Sequence, residues 1–269
     1  LPLAGQPPPK QPAPDSAAQT KAREYFYQGV LAQSSGRTME AFDLLRHARA
    51  LDPTDPAIAF MLGGNYAQQG MSDRALSLLE EAYGADSTNL TYARALSAGY
   101  IEAGRMQDAL VINERLSEAD PEDDDVRYRL IQLYARTGEL KKGIQLATEL
   151  QKRFRPMPEA YGQLTKMKIQ LLALSKDSVA VGREYRAWAA LYPEDRRPYY
   201  DWILHLFQTG GAKEAEKQLA SDVRAGRISS GDATALRVHK YILQKDYPAA
   251  EAELVRLTPD KKIGADEKV

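Results

Sequence analysis

The 269-residue chain contains no cysteine, three histidines and two tryptophans. Without cysteine there is no disulfide, no thiolate nucleophile and no cysteine-ligated metal. His47, His205 and His239 stand alone, outside HExxH or any other paired ligand spacing. No GxxxxGK[ST], GxGxxG or GxSxG motif occurs, so the common phosphate cradles and nucleophile elbow are missing. The two charge signs nearly balance, with 36 basic and 37 acidic residues and a net charge of −1. No global field therefore attracts nucleic acid or an anionic membrane. No apolar run approaches the roughly 20 residues that span a bilayer.

Proline is concentrated rather than scarce. Pro2, Pro7, Pro8, Pro9, Pro12 and Pro14 crowd the first stretch, and such sequence resists helix and sheet. Residues 1–18 are expected to be a disordered tether, with a PxxP ligand as the less favoured reading. "LPLAG" (1–5) resembles the residues before a bacterial lipoprotein cleavage site, although Gln6 stands where the lipidated cysteine belongs. That resemblance suggests membrane tethering through a removed N-terminus; a cut made without biological meaning is the plainer reading.

The rest of the chain repeats itself. "NYAQQGMSDRAL" (65–76), "GYIEAGRMQDAL" (99–110) and "LYARTGELKKGI" (133–144) follow one another at steps of 34 residues. Gly36, Gly70, Gly104 and Gly138 share that step, and Gly210 follows 72 residues later, two periods plus four. Ala41, Ala75 and Ala109 trail their glycines by five residues, and Gly143 keeps that position small. One unit reads as two helices, roughly 22–35 and 38–51. Gly36 supplies the left-handed residue that a helix end favours, and "LDP" stops the second helix. Small residues allow the helices to approach closely. Tyr66, Tyr100 and Tyr134 are expected to be buried between units. A single hairpin cannot bury its apolar face alone, whereas a stack can.

With positions counted from Ala22, the pattern places a small residue at 8, tyrosine at 11, alanine at 20 and 27, and proline at 32. It resembles the tetratricopeptide repeat, although tryptophan at position 4 is missing throughout. The resemblance implies an all-α, right-handed superhelical solenoid of about seven hairpins over residues 19–262. The repeats are 22–55, 56–89, 90–123, 124–157, 158–195, 196–230 and 231–262, and 263–269 begin a further helix or tail. The fifth repeat carries four extra residues, so its turn is expected at "SKDS" (175–178), with Asp177 or Ser178 capping the next helix. Residues 25–48 also resemble larger cell-envelope repeat proteins of Bacteroides-type bacteria. That resemblance suggests the bacterial periplasm or envelope, with the cytoplasm as alternative.

The family resemblance also implies a function. First helices of such repeats line a groove through positions 2, 5, 9, 12 and 13, where aromatic and arginine side chains anchor partners. The candidates are Phe26, Phe60, Arg94, Tyr128, Gln132, Arg136, Tyr200 and Phe207. A chaperone-type carboxylate clamp does not fit, because Phe26, Val30, Met61, Thr91 and Ala95 occupy its positions. The acidic run "EADPEDDDV" (118–126) has the 1, 3, 5 spacing of a calcium loop. Asp125 and Ile131, however, stand where glycine and a bidentate glutamate are needed, so its aspartates are expected to cap the next helix. The expectation is a protein–protein interaction scaffold for a peptide or protein, with no catalytic constellation, metal, cofactor or nucleic-acid face. The alternative is the N-terminal scaffold portion of a longer protein.

Overall fold

The computed structural model describes residues 16–256, among which there are fourteen helices and no strand. The chain forms two compact units that divide after Gly138. The first holds α1 (Ala17–Ser34), α2 (Thr38–Leu51), α3 (Pro56–Gln68), α4 (Ser72–Ala85), α5 (Leu90–Glu102), α6 (Met106–Ala119) and α7 (Asp124–Thr137). The second holds α8 (Leu140–Arg153), α9 (Pro158–Leu174), α10 (Ser178–Leu191), α11 (Arg197–Gln208), α12 (Ala212–Arg224), α13 (Ser230–Leu243) and α14 (Tyr247–Val255).

In the first unit α1/α2, α3/α4 and α5/α6 are antiparallel hairpins stacked in chain order, and α7 packs on α6. Close approach within a hairpin rests on small residues from both helices. Ala41, Ala75 and Ala109 are buried, and a Cβ on Gly63 would lie 3.2 Å from the Ala75 carbonyl oxygen. The two turns between hairpins at Asp52 and Asp86 are alike. Each aspartate accepts from the backbone N–H and the hydroxyl of a threonine two residues on, Thr54 and Thr88. Asp55 and Asn89 then cap α3 and α5.

Within hairpins the turn repeats by the same bonds. The Arg37, Met71 and Arg105 N–H groups donate to the carbonyls of Ala32, Tyr66 and Tyr100, and Gly36, Gly70 and Gly104 take positive φ between them. The missing glycine of the fifth repeat is Lys176, with φ 61°, and the seventh repeat uses Lys245, with φ 59°. The left-handed position thus falls 38 residues after Gly138 and 34 before Gly210, so the four extra residues lie wholly in α9. That helix has 17 residues against 13 in α3 and α5. Asp177 caps α10 by accepting from the Ala180 N–H, as the "SKDS" reading anticipates.

Two expectations need correction. Helix α1 starts at Ala17, inside the segment read as a tether, because Ser16 and Gln19 form a capping box; residues 1–15 and 257–269 lie outside the described residues. Tyr134 is buried, but Tyr66 and Tyr100 are only half-buried. Their open faces are covered by Arg74 and Arg105, at 5.7 and 4.4 Å from the ring centroids.

Candidate functional site

Positions 5, 9 and 13 of a first helix are four residues apart and share one helical face. In the first unit this face carries Phe26 on α1, Phe60 on α3, Arg94 on α5, and Tyr128, Gln132 and Arg136 on α7. Phe26 is half-buried and packs against Ala22, Ala48 and Ile58, the last from α3. Phe60 lies with its centroid 5.0 Å from that of Tyr92 at the start of α5. Arg94 forms an ion pair with Asp123, the residue that caps α7. Position 5 therefore has a structural duty: its side chain reaches the beginning of the next first helix and ties the two repeats.

The Asp123 carboxyl is held below its ordinary pKa, chiefly by the Val126 N–H that it caps; partial burial opposes this and Arg94 reinforces it. Tyr128 is half-buried, and its phenol pKa is raised by burial and by the neighbouring charge of Asp124. Gln132 and Arg136 are exposed, and Arg136 Nη1 lies 3.7 Å from Met106 Sδ.

The second unit treats its two candidates differently. The Tyr200 hydroxyl donates to Asp232 on α13 at 2.5 Å, another inter-repeat tie. Phe207 is only 8% exposed, within a cluster of Ile203, Leu206, Leu219 and Leu236. It is a core residue rather than a surface anchor, because its cluster includes Leu219 of α12 and Leu236 of α13, and Lys240 of α13 lies 5.6 Å from its ring centroid. In the fifth repeat position 5 is Gly162, and a Cβ there would lie 2.7 Å from Trp188 Cζ2. The indole fills the space that an anchor would need.

The acidic run is spent on structure. Asp120 accepts from the Glu122 N–H, and Asp123 caps α7 and pairs with Arg94. Among the described residues no group of three or more His, Asp or Glu is placed to hold a metal ion. His47 packs on Tyr25 at 5.5 Å. His205 stacks on Trp202 at 5.8 Å, and burial lowers its pKa. His239 is exposed. No helix among the described residues is long and apolar enough to cross a membrane.

Hairpins of matched length, closed by a left-handed residue and stacked in chain order, define a helical-repeat protein. Residues 32–99 and 100–166 match the tetratricopeptide repeat family, and the chain belongs to that family. A sequence comparison with curated proteins found no match. Among solved structures the fold is similar to that of a tetratricopeptide repeat protein from Parabacteroides merdae. The two share 17% identity over 91% of this chain and 95% of that one, with a TM-score of 0.56. It is also similar to YrrB, described as a TPR protein with an unusual peptide-binding site: 16% identity, 66% of this chain and 93% of that one, TM-score 0.54. MamA from AMB-1 is similar at 21% identity over 64% of this chain and 99% of that one, with a TM-score of 0.52. At these identities the likeness shows the fold. Proteins of this fold are generally protein-interaction scaffolds.

Proposed function

We propose that this chain is a non-catalytic scaffold that binds a peptide or protein surface along the first helices of its first unit. The observation that carries this reading is the face itself. Phe26, Phe60 and Tyr128 recur at one helical position, each held by packing on one side and half-open on the other. Gln132 and Arg136 extend the face into solvent. Pre-ordered aromatic and arginine groups lose little entropy on binding, which suits them as anchors. The peptide-binding site named for YrrB supports a peptide as the ligand class. Tyr200, in the second unit, is a poor anchor, since its hydroxyl is already engaged by Asp232.

The test is partner affinity in Tyr128→Ala and Arg136→Ala variants, with helicity followed by circular dichroism. Each variant should lose about 1–2 kcal/mol of binding with helicity unchanged. Arg94→Ala is a poorer probe, because it also strips Asp123 of its partner. Wild-type affinity in both variants would show that the partner sits elsewhere. A bacterial cell-envelope setting rests on the resemblance of residues 25–48 alone, and cell fractionation tests it.

A further inference from the structure

The second helices of the first unit are laced together by long side chains at two fixed positions. Position 28 of one repeat meets position 26 of the next. Arg49 on α2 pairs with Glu81 on α4 at 2.5 Å, and Arg115 on α6 donates to the Tyr83 hydroxyl on α4 at 3.0 Å. In the second unit the same two positions on α8 and α10 are Gln151 and Ala187. Gln151 turns inward and is 5% exposed; its amide donates to the Thr165 hydroxyl at 2.8 Å and accepts from Lys168 at 3.1 Å. Ala187 has no side chain with which to span the seam.

The seam is open as a result. An open cleft of about 270 Å³ lies there, lined by Gln151, Lys152, Arg155, Tyr161, Ala187 and Leu191 among others. One water takes roughly 30 Å³, so the space holds a polyatomic group. Neither Lys152 nor Arg155 has a carboxylate partner among the described residues. Glu184 on α10 is already paired with Lys168 at 2.8 Å. The segment carrying Arg155 is fixed, because the Tyr192 hydroxyl donates to the Arg155 carbonyl. Tyr192 also braces the Tyr161 ring, edge-on at 5.4 Å between centroids. Two exposed, uncompensated cations therefore border a cleft whose remaining wall is Thr148, Gln151, an alanine, a leucine and an aromatic ring.

We propose that this α8–α10 seam binds a phosphate monoester. A monoester carries a charge of about −1.5 to −2 near neutral pH, which matches one lysine and one arginine. A single carboxylate would leave one cation unmatched. Arginine can grip a phosphate through two parallel N–H donors, and lysine adds a point charge. Ala187, Leu191 and Tyr161 receive the organic group. The site lies on different helices from the partner-binding face proposed above and stands or falls without it.

The test uses the whole chain at fixed ionic strength. Thermal unfolding is followed with inorganic phosphate, phosphoserine, glycerol 3-phosphate and acetate, since a ligand that binds only the folded state raises the midpoint. At least one phosphate compound should raise the midpoint of the wild type in a saturable way. Phosphoserine as the tightest would name a protein source, glycerol 3-phosphate a lipid headgroup, and inorganic phosphate the free ion. Arg155→Gln should weaken the response on the order of tenfold. Ala187→Glu, an exposed helical position, installs the acid that Glu81 supplies in the first unit and should abolish it. Circular dichroism without ligand establishes that both variants fold. The proposal is overturned if no phosphate compound acts on the wild type, if both variants respond as it does, or if acetate acts equally well.

Discussion

Glycine has opposite uses at neighbouring residues of α3. A Cβ on Gly63 would press on the Ala75 carbonyl and on Leu78 at 3.3 Å, whereas a Cβ on Gly64 would meet nothing within 4 Å. Glycine inside a helix costs about 1 kcal/mol relative to alanine. Gly64→Ala should therefore stabilise the chain by about that much, and Gly63→Ala should destabilise it, as read from urea midpoints. Gly162→Ala should be worse still, because its Cβ would collide with the buried Trp188 ring. Lys176 presents the reverse case, a side chain where the turn wants none. The left-handed conformation costs a non-glycine residue roughly 1–2 kcal/mol, part of which the greater freedom of unfolded glycine offsets. Lys176→Gly should raise stability by up to about 1 kcal/mol, and an unchanged midpoint would show that the turn is not strained.

At the scale of helices, much was legible before any coordinates. The 34-residue recurrence located Gly36, Gly70, Gly104, Gly138 and Gly210 as breaks, because a helix end needs a residue that tolerates positive φ and glycine does so at least cost. The fifth repeat was readable from its length alone, since four residues add about one helical turn. What the pattern could not give was the double duty of position 5. Arg94 reads as an anchor in the sequence, yet its partner Asp123 lies 29 residues away and is identified only by the cap that it forms. Phe207 was illegible for a related reason: periodicity places it on a first helix but does not say that Leu219 of α12 and Leu236 of α13 close around it.

The charge on Asp123, which caps α7 through the Val126 N–H and pairs with Arg94, has a pH signature. The folded-state pKa of Asp123 is depressed, so its contribution is fully present above the unfolded value near 4 and fades as pH falls through the folded value. Asparagine still caps a helix but carries no charge to titrate or to hold Arg94. Asp123→Asn should therefore lose stability relative to wild type at about pH 7, with the gap closing at about pH 3. A gap of constant size would show that the charge on Asp123 adds nothing beyond what asparagine supplies.

The whole molecule divides its spectroscopic reporters unequally. Both tryptophans, Trp188 and Trp202, belong to the second unit, whereas helices fill both. Tryptophan fluorescence therefore reports on the second unit and circular dichroism on the sum. In stacked repeats each helix gains stability mainly from its sequence neighbours, so damage should spread with distance along the chain rather than appear everywhere at once. Ala109 is fully buried where α5 and α6 approach, and Ala109→Leu should cost on the order of 1–3 kcal/mol by overpacking. The change should lower the circular-dichroism midpoint while moving the tryptophan transition less. Gly162→Ala should do the converse and strike the tryptophan transition first. If both substitutions shift both probes equally, the chain unfolds as one cooperative block, and the division after Gly138 carries no thermodynamic weight.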